Sequence, residues 1–315
     1  MIGQKDFIHR LQNLEAGKER VGWMRNNDLE KCKRFLSDCA VQALIDEVNL
    51  TPKPGLVDRN SSGVHHDLSL PIMLKSAESL RQTFEEIAAV SYNEEPSQML
   101  REEIARIGRD GEKTMYQATG GTNSHKGAIW SLGLLVSSAA SKKGLGEADE
   151  FLETAGKIAR YRDRYVPNNL TNGLIVKKKY NIHGAKEVAE SGFLPIKCFS
   201  LPTLLGSRLS GMKEEEARLN ALVSLIAHLD DTCILHRGGS KALNKSKNIA
   251  NQVLNAGGVS TTEGSKRLRE LDETMHAYNA SPGGCADLLA ATLFIDTIST
   301  QSKLFKKEVK GVVNS

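Results

Sequence analysis

Apolar residues recur along this chain at three- and four-residue intervals. Over 31–48, Phe35, Leu36, Cys39, Ala40, Ala43, Leu44 and Val48 fall on one face of a helix. The same spacing near 71–90, 98–117, 127–141, 147–160, 213–229, 246–255, 264–277 and 284–301 predicts further amphipathic helices. No run alternates β-branched and polar residues between hairpin turns, so the pattern predicts an all-α fold, a compact multi-helix bundle. One helical domain is expected over 31–302, after an N-terminal extension, 1–30, and before a tail, 303–315, that reads as frayed or solvated chain.

Five polar islands interrupt the periodicity: TPKPGLVDRNSSGVHHD (51–67), TGGTNSHKG (119–127), NIHGAKEVAESGF (181–193), DDTCILHRGG (230–239) and SPGGCAD (281–287). Loops on a helical scaffold are where binding groups collect, so these are expected to gather at one site. TGGTNSHKG opens directly into the apolar run Ala128–Ala140. A helix start leaves its first amides unpaired and carries partial positive charge, so Gly120, Gly121, Thr122 and Asn123 would cradle an anion there. His125 and Lys126 would add charge. The spacing fits neither a P-loop nor a dinucleotide fingerprint, which leaves a phosphorylated ligand of unnamed type. SPGGCADLLAATLF repeats the arrangement: Ser281 caps, Pro282 begins the turn, and Gly283 and Gly284 free the backbone, although an ordinary helix cap has the same signature.

Acid–base residues crowd the other islands. Pro52 and Pro54 stiffen the chain around Lys53, which suits a phosphate contact as well as a solvated loop lysine. Glu47 and Asp58 flank that loop as carboxylates for general-base work. His65, His66 and Asp67 are adjacent, and neighbouring residues rarely face one way, so a turn or substrate contact is expected over a metal. Asp230 and Asp231 follow an apolar helix, where acids oppose the dipole at a cost of ~0.3–1 kcal/mol each. A Mg²⁺ ion carrying polyphosphate would offset that, as would an ion pair with Arg237. Arg237, with His236 and Gly238 beside it, is a natural fork for phosphate.

Composition narrows the partners. The chain has 315 residues, 40% apolar and 25% charged, enough to bury a large core. A net charge of +4 spread along the chain and 5% aromatics suit a small anionic ligand better than a nucleic-acid groove. Five cysteines, Cys32, Cys39, Cys198, Cys233 and Cys285, form no C-x-x-C pair, and their odd number argues for a reducing compartment. No signal-length apolar core opens the chain, and its apolar runs fall short of the roughly 20 residues of a membrane span, so a soluble cytoplasmic protein with no membrane partner is expected. A homo-oligomer is compatible with all of this.

In this order, EVNLTPKPGLVD, TGGTNSHKG, DDTCILHRGG and SPGGCADLLA resemble the triphosphoribosyl-dephospho-CoA synthase family, which builds the prosthetic-group precursor of citrate lyase and malonate decarboxylase. The likeness covers about residues 30–300. It implies an all-α pentosyltransferase that takes ATP and 3′-dephospho-CoA, releases adenine, and joins the triphosphoribosyl group to the 2′-hydroxyl through an α-glycosidic bond. ATP is then a ribosyl donor whose triphosphate must be held intact. Lys53, Lys126, Arg237, Mg²⁺ and the two glycine-paired helix starts would supply that grip. Inversion at C1′ calls for one base and one acid. For these roles Asp230 and Asp231 are the candidates for Mg²⁺ or transition-state carboxylates, Glu47 and Asp58 for the base, and His125 for protonating adenine.

Departures from the family pattern concentrate in YNIHGAKEVAESGFLP, where His183 and Lys186 stand at positions expected to be arginine and Val188 at one expected to be glutamate. Glu187 could replace that acid after a one-residue shift, and Cys285 replaces a small hydroxyl residue. Two other activities therefore stay open at this point: a Mg²⁺-dependent hydrolase of nucleotides or ADP-ribose-type compounds, and a non-catalytic nucleotide-binding protein.

Overall fold

The computed structural model describes residues 28–166 and 172–313, and among them every regular element is helical. The first, α1 (Leu29–Asn49), is started by Asp28, whose side chain accepts the Lys31 amide. It buries Cys32, Leu36, Cys39, Ala40, Ala43, Leu44 and Val48, the apolar stripe seen in the sequence. Next come α2 (Leu70–Ser79) and α3 (Arg81–Ser91), divided at Leu80, which leaves helical geometry with φ −88° and ψ −3°. α4 (Gln98–Thr119) starts on a Ser97 cap, and α5 (Lys126–Ser141) and α6 (Ala148–Arg160) follow.

Residues 172–209 carry helices that periodicity missed: α7 (Asn172–Tyr180), α8 (Ala185–Glu190), and a π-helical turn (Ile196–Ser200) running into α9 (Leu201–Leu209). Each is too short to complete two full apolar repeats. Beyond them lie α10 (Glu214–His228), α11 (Thr232–Asn255), α12 (Thr262–Ala277) and α13 (Gly283–Val313). α11 begins well before the expected 246 and consists of two helical segments joined across Gly239, whose φ of 70° and ψ of −171° are not helical. α13 continues as helix past 302; Phe305 packs on the core, and the Ser302 hydroxyl accepts the Gly146 amide at 3.0 Å. The extension over 1–27 lies outside the described residues.

α5 and α10 are buried on nearly all sides, as helices without a polar face must be. Polar side chains inside these layers are paired: Ser91 with Ser137 at 2.7 Å, and Ser200 with Thr292 at 2.6 Å. Fully buried Leu132, Leu135, Phe294 and Ile298 tie α5 and α13 into one core that reaches from α1 to α13, each side chain contributing about 1.5–3 kcal/mol. This packing sets the starts of α5, α11 and α13 and the end of α1 side by side. No helix is long and apolar enough to cross a membrane among the described residues.

Candidate active site

A cleft opens where these ends meet. Trp130, Val188, Phe193, Leu229 and Leu288 form apolar walls; His183, Asp230, Thr232 and Asp287 supply polar points, and Gly127 and Gly284 let the backbone come close. Four of the five polar islands thus reach one cleft. The fifth, 51–67, lies behind it.

Two aspartates organise the helix starts. Asp231 is the N-cap of α11, its Oδ1 accepting the amides of Cys233 at 2.7 Å and Ile234 at 3.2 Å, while Oδ2 accepts the Cys285 amide at the start of α13 at 2.8 Å. A side chain on Gly284 would press on this carboxylate, which explains the glycine. Burial raises the Asp231 carboxyl above its ordinary value, against the pull of those amides. Asp287, from the first turn of α13, packs against Gly127 and accepts the Ala128 amide at the start of α5. Desolvation, and then the charges of Glu47 and Asp231, hold its carboxyl well above the carboxylate range. Its side chain faces the cleft beside a helix N-terminus.

The expectation that Asp230 and Asp231 end a helix and oppose its dipole is therefore corrected. α10 stops at His228, and Asp231 begins the next helix, where the dipole favours it. Asp230 points elsewhere and pairs with Lys247 at 2.7 Å. With one carboxylate bound to three amides and the other to a lysine, the two do not fit a shared metal ion, and no cluster of three or more His, Cys, Asp or Glu suited to a metal occurs among the described residues.

Lys53 is also placed differently from expectation. Its buried ammonium donates to the Glu47 carboxylate at 2.5 Å and to the Glu47 carbonyl at 2.7 Å, so it neutralises a protein acid and is not free for phosphate. Asp58 is equally committed: it accepts the Thr51 hydroxyl, the Lys53 amide and the amides of Asn60 and Ser61, fastening the loop.

In TGGTNSHKG the glycines serve the preceding helix. Gly120, at φ 70°, is the left-handed cap of α4, and Gly120 and Gly121 both donate to the Tyr116 carbonyl. Thr122 accepts from the Thr119 hydroxyl through its carbonyl, Asn123 accepts the Lys126 amide, and Lys126 pairs with Glu112 at 2.8 Å. His125 is 3% exposed; its Nδ1 shares a 2.8 Å hydrogen bond with Ser76, and its Nε2 has no partner. Burial, then the nearby Lys53 charge, lowers its pKa to about 3, which favours the neutral ring.

Ser281, His65 and Arg237 form a chain. Arg237 donates to His65 Nδ1 at 3.4 Å, which leaves His65 Nε2–H for the Ser281 hydroxyl at 2.9 Å. Arg237 and His236 are exposed. Gly238 packs so closely on Ala242 and Ala280 that its role is clearance, and Gly283 abuts the Cys233 sulfur. Sequence reasoning nominated neither Asp287 nor Trp130. The available signals were an acid in the first turn of an apolar helix and a tryptophan on an otherwise buried one.

The sequence model of the ATP:dephospho-CoA triphosphoribosyl transferase family matches residues 33–305. A protein of Pseudomonas syringae pv. syringae (strain B728a), named probable 2-(5''-triphosphoribosyl)-3'-dephosphocoenzyme-A synthase, is 48% identical over 262 residues, 83% of this chain and 90% of the relative. The 2-(5''-triphosphoribosyl)-3'-dephosphocoenzyme-A synthase of Klebsiella pneumoniae is 44% identical over 265 residues, 84% of this chain and 95% of the relative. No solved structure matches. With a matched span that begins in α1 and ends in α13 and takes in the whole cleft, the chain belongs to the ATP:dephospho-CoA triphosphoribosyl transferase family.

Proposed function

We infer that this protein transfers the triphosphoribosyl group of ATP to the 2′-hydroxyl of 3′-dephospho-CoA and releases adenine. The family relationship over residues 33–305 supplies the reaction, and Asp287 on the cleft wall is the observation that fits the geometry to it. When the C1′–N9 bond breaks, its electron pair leaves with adenine, and a purine departs readily only if it gains a proton. Asp287, whose carboxyl is pushed toward the protonated form by its surroundings and which lines the cleft, is the proposed donor. Glu47 acts through it, as the buried like charge that raises Asp287 while Lys53 keeps Glu47 in place.

The attacking 2′-hydroxyl must lose its proton as the new bond forms at C1′. Asp230, on the same cleft and paired with Lys247, is the proposed acceptor in place of Asp58. Arg237, exposed and without a carboxylate partner among the described residues, is the proposed contact for the triphosphate. Magnesium is proposed as the triphosphate's counter-ion, held by phosphate oxygens and water without a dedicated carboxylate pair.

Incubation with ATP, Mg²⁺ and 3′-dephospho-CoA, followed by mass analysis, tests the assignment. Adenine formed only with the acceptor, together with the coupled product, is the expected result. Adenine, ADP or phosphate released without acceptor would instead establish a hydrolase.

A further inference from the structure

Arg101, on α4, is 5% exposed, and no carboxylate pairs with it among the described residues. Its Nε has no hydrogen-bond partner, and the nearest acid named in its surroundings, Asp163, is taken by Arg109 at 2.6 Å. A buried guanidinium whose neighbouring carboxylates, Asp163 and Glu102, are paired with other arginines is costly, and a leucine or methionine would fill the same space without that cost. What Arg101 touches is an aromatic ring: its Cζ lies 4.8 Å from the centroid of Trp130. Such a contact returns at most about 2 kcal/mol. Trp130 is held on a second side, where its Nε1–H donates to the Ala185 carbonyl at 3.2 Å. The ring is thus locked by α4 and by the 183–188 segment, and the surface left to it lines the cleft. Val188, Phe193 and Leu288 make the other walls apolar, and Asp287 stands in the same cavity. A flat aromatic heterocycle is the ligand such a slot accepts.

We propose that Trp130, with Arg101 fixing the plane of its ring, is the platform on which an adenine ring stacks in this cleft. The proposal rests on the transferase assignment, since both substrates of that reaction carry adenine. The stacked base belongs either to ATP, which sets it beside Asp287 for departure, or to the acceptor. Trp130 is a binding residue and Arg101 a positioning residue.

Trp23 and Trp130 are the two tryptophans of the chain, so Trp23→Phe leaves Trp130 as the single indole reporter. Titration of that variant with ATP, adenosine, 3′-dephospho-CoA and inorganic triphosphate is expected to quench its emission with adenine-bearing ligands and not with triphosphate. Trp130→Ala is expected to raise KM by about 5- to 150-fold for the substrate whose base stacks, and Trp130→Phe to restore most of it. A rise confined to ATP assigns the donor's base, and one confined to 3′-dephospho-CoA assigns the acceptor's. Arg101→Met, which keeps the packing and removes the unpaired charge, is expected to raise the same KM several-fold with no loss of thermal stability. Adenine release without any quenching by adenine ligands, or unchanged KM values in Trp130→Ala, would overturn the platform and leave the transferase standing. Quenching by adenosine in a protein that releases no adenine would keep the platform and remove the transferase.

Discussion

Asp231 and Asp287 are both carboxylates set against the start of a buried helix, yet three amides hold Asp231 and one holds Asp287. Asp231 is 1% exposed and ties α11 to α13; Asp287 faces a cleft. Burial raises both carboxyls, but amides counter the shift at Asp231, whereas two like charges reinforce it at Asp287. The number of donors therefore separates an aspartate fastened into the fold from one that keeps a face to the cleft. The clearest break of that contrast is Asp287→Asn. It keeps an acceptor for Ala128 and removes the transferable proton, so adenine release in a single turnover is expected to fall by about 10²- to 10⁴-fold while the denaturation midpoint holds or rises. Near-normal release would end the acid role.

Lys53→Met comes next, because it leaves the Glu47 carboxyl buried without its cation. A loss of about 3–5 kcal/mol in denaturant unfolding is expected, most of it recovered in Glu47→Leu/Lys53→Met. Asp231→Ala orphans the amides of Cys233, Ile234 and Cys285 and is expected to cost about 2–4 kcal/mol by the same measurement, with residual activity following the folded fraction. The contrast can also be sharpened by pH. A protonated Asp287 makes the rate fall as pH rises through its raised pKa. Glu47→Gln removes a like charge, so that alkaline limb should move to lower pH, and a limb that stays fixed would dissociate Glu47 from the acid.

Long amphipathic helices were legible because a full apolar stripe fixes them: 31–48 became Leu29–Asn49, and 127–141 became Lys126–Ser141. What local pattern does not encode is which distant group meets a loop. The glycines of SPGGCAD do lie beside an anion, but it is Asp231, more than fifty residues earlier, and Gly127 lies beside Asp287. At both helix starts the amides meet an aspartate of the chain itself. Lys53 was misplaced for a related reason, since a lysine between prolines has no local sign that a glutamate six positions back will bury it. Asp230 and Asp231 read as a pair because they are adjacent, whereas the turn between α10 and α11 sends one to Lys247 and the other inward.

His125 provides the smallest effect and a second comparison for Asp287, since each is a buried titratable group near the α5 start with its pKa pushed toward the neutral form. The direction is opposite. A histidine that titrates near 6.5 when unfolded and at about 3 when folded contributes stability that is present above pH 6.5 and is lost as pH falls toward 3, because only the unfolded chain takes the proton. Each pH unit inside that window costs about 1.4 kcal/mol, so unfolding in urea should show the protein losing about 2 kcal/mol from this ring between pH 6.5 and pH 5. His125→Gln keeps a partner for Ser76 and should remove that slope. Parallel losses in the two proteins would mean that the imidazole titrates near its ordinary value, and the proton for adenine would then have two candidate sources in place of one.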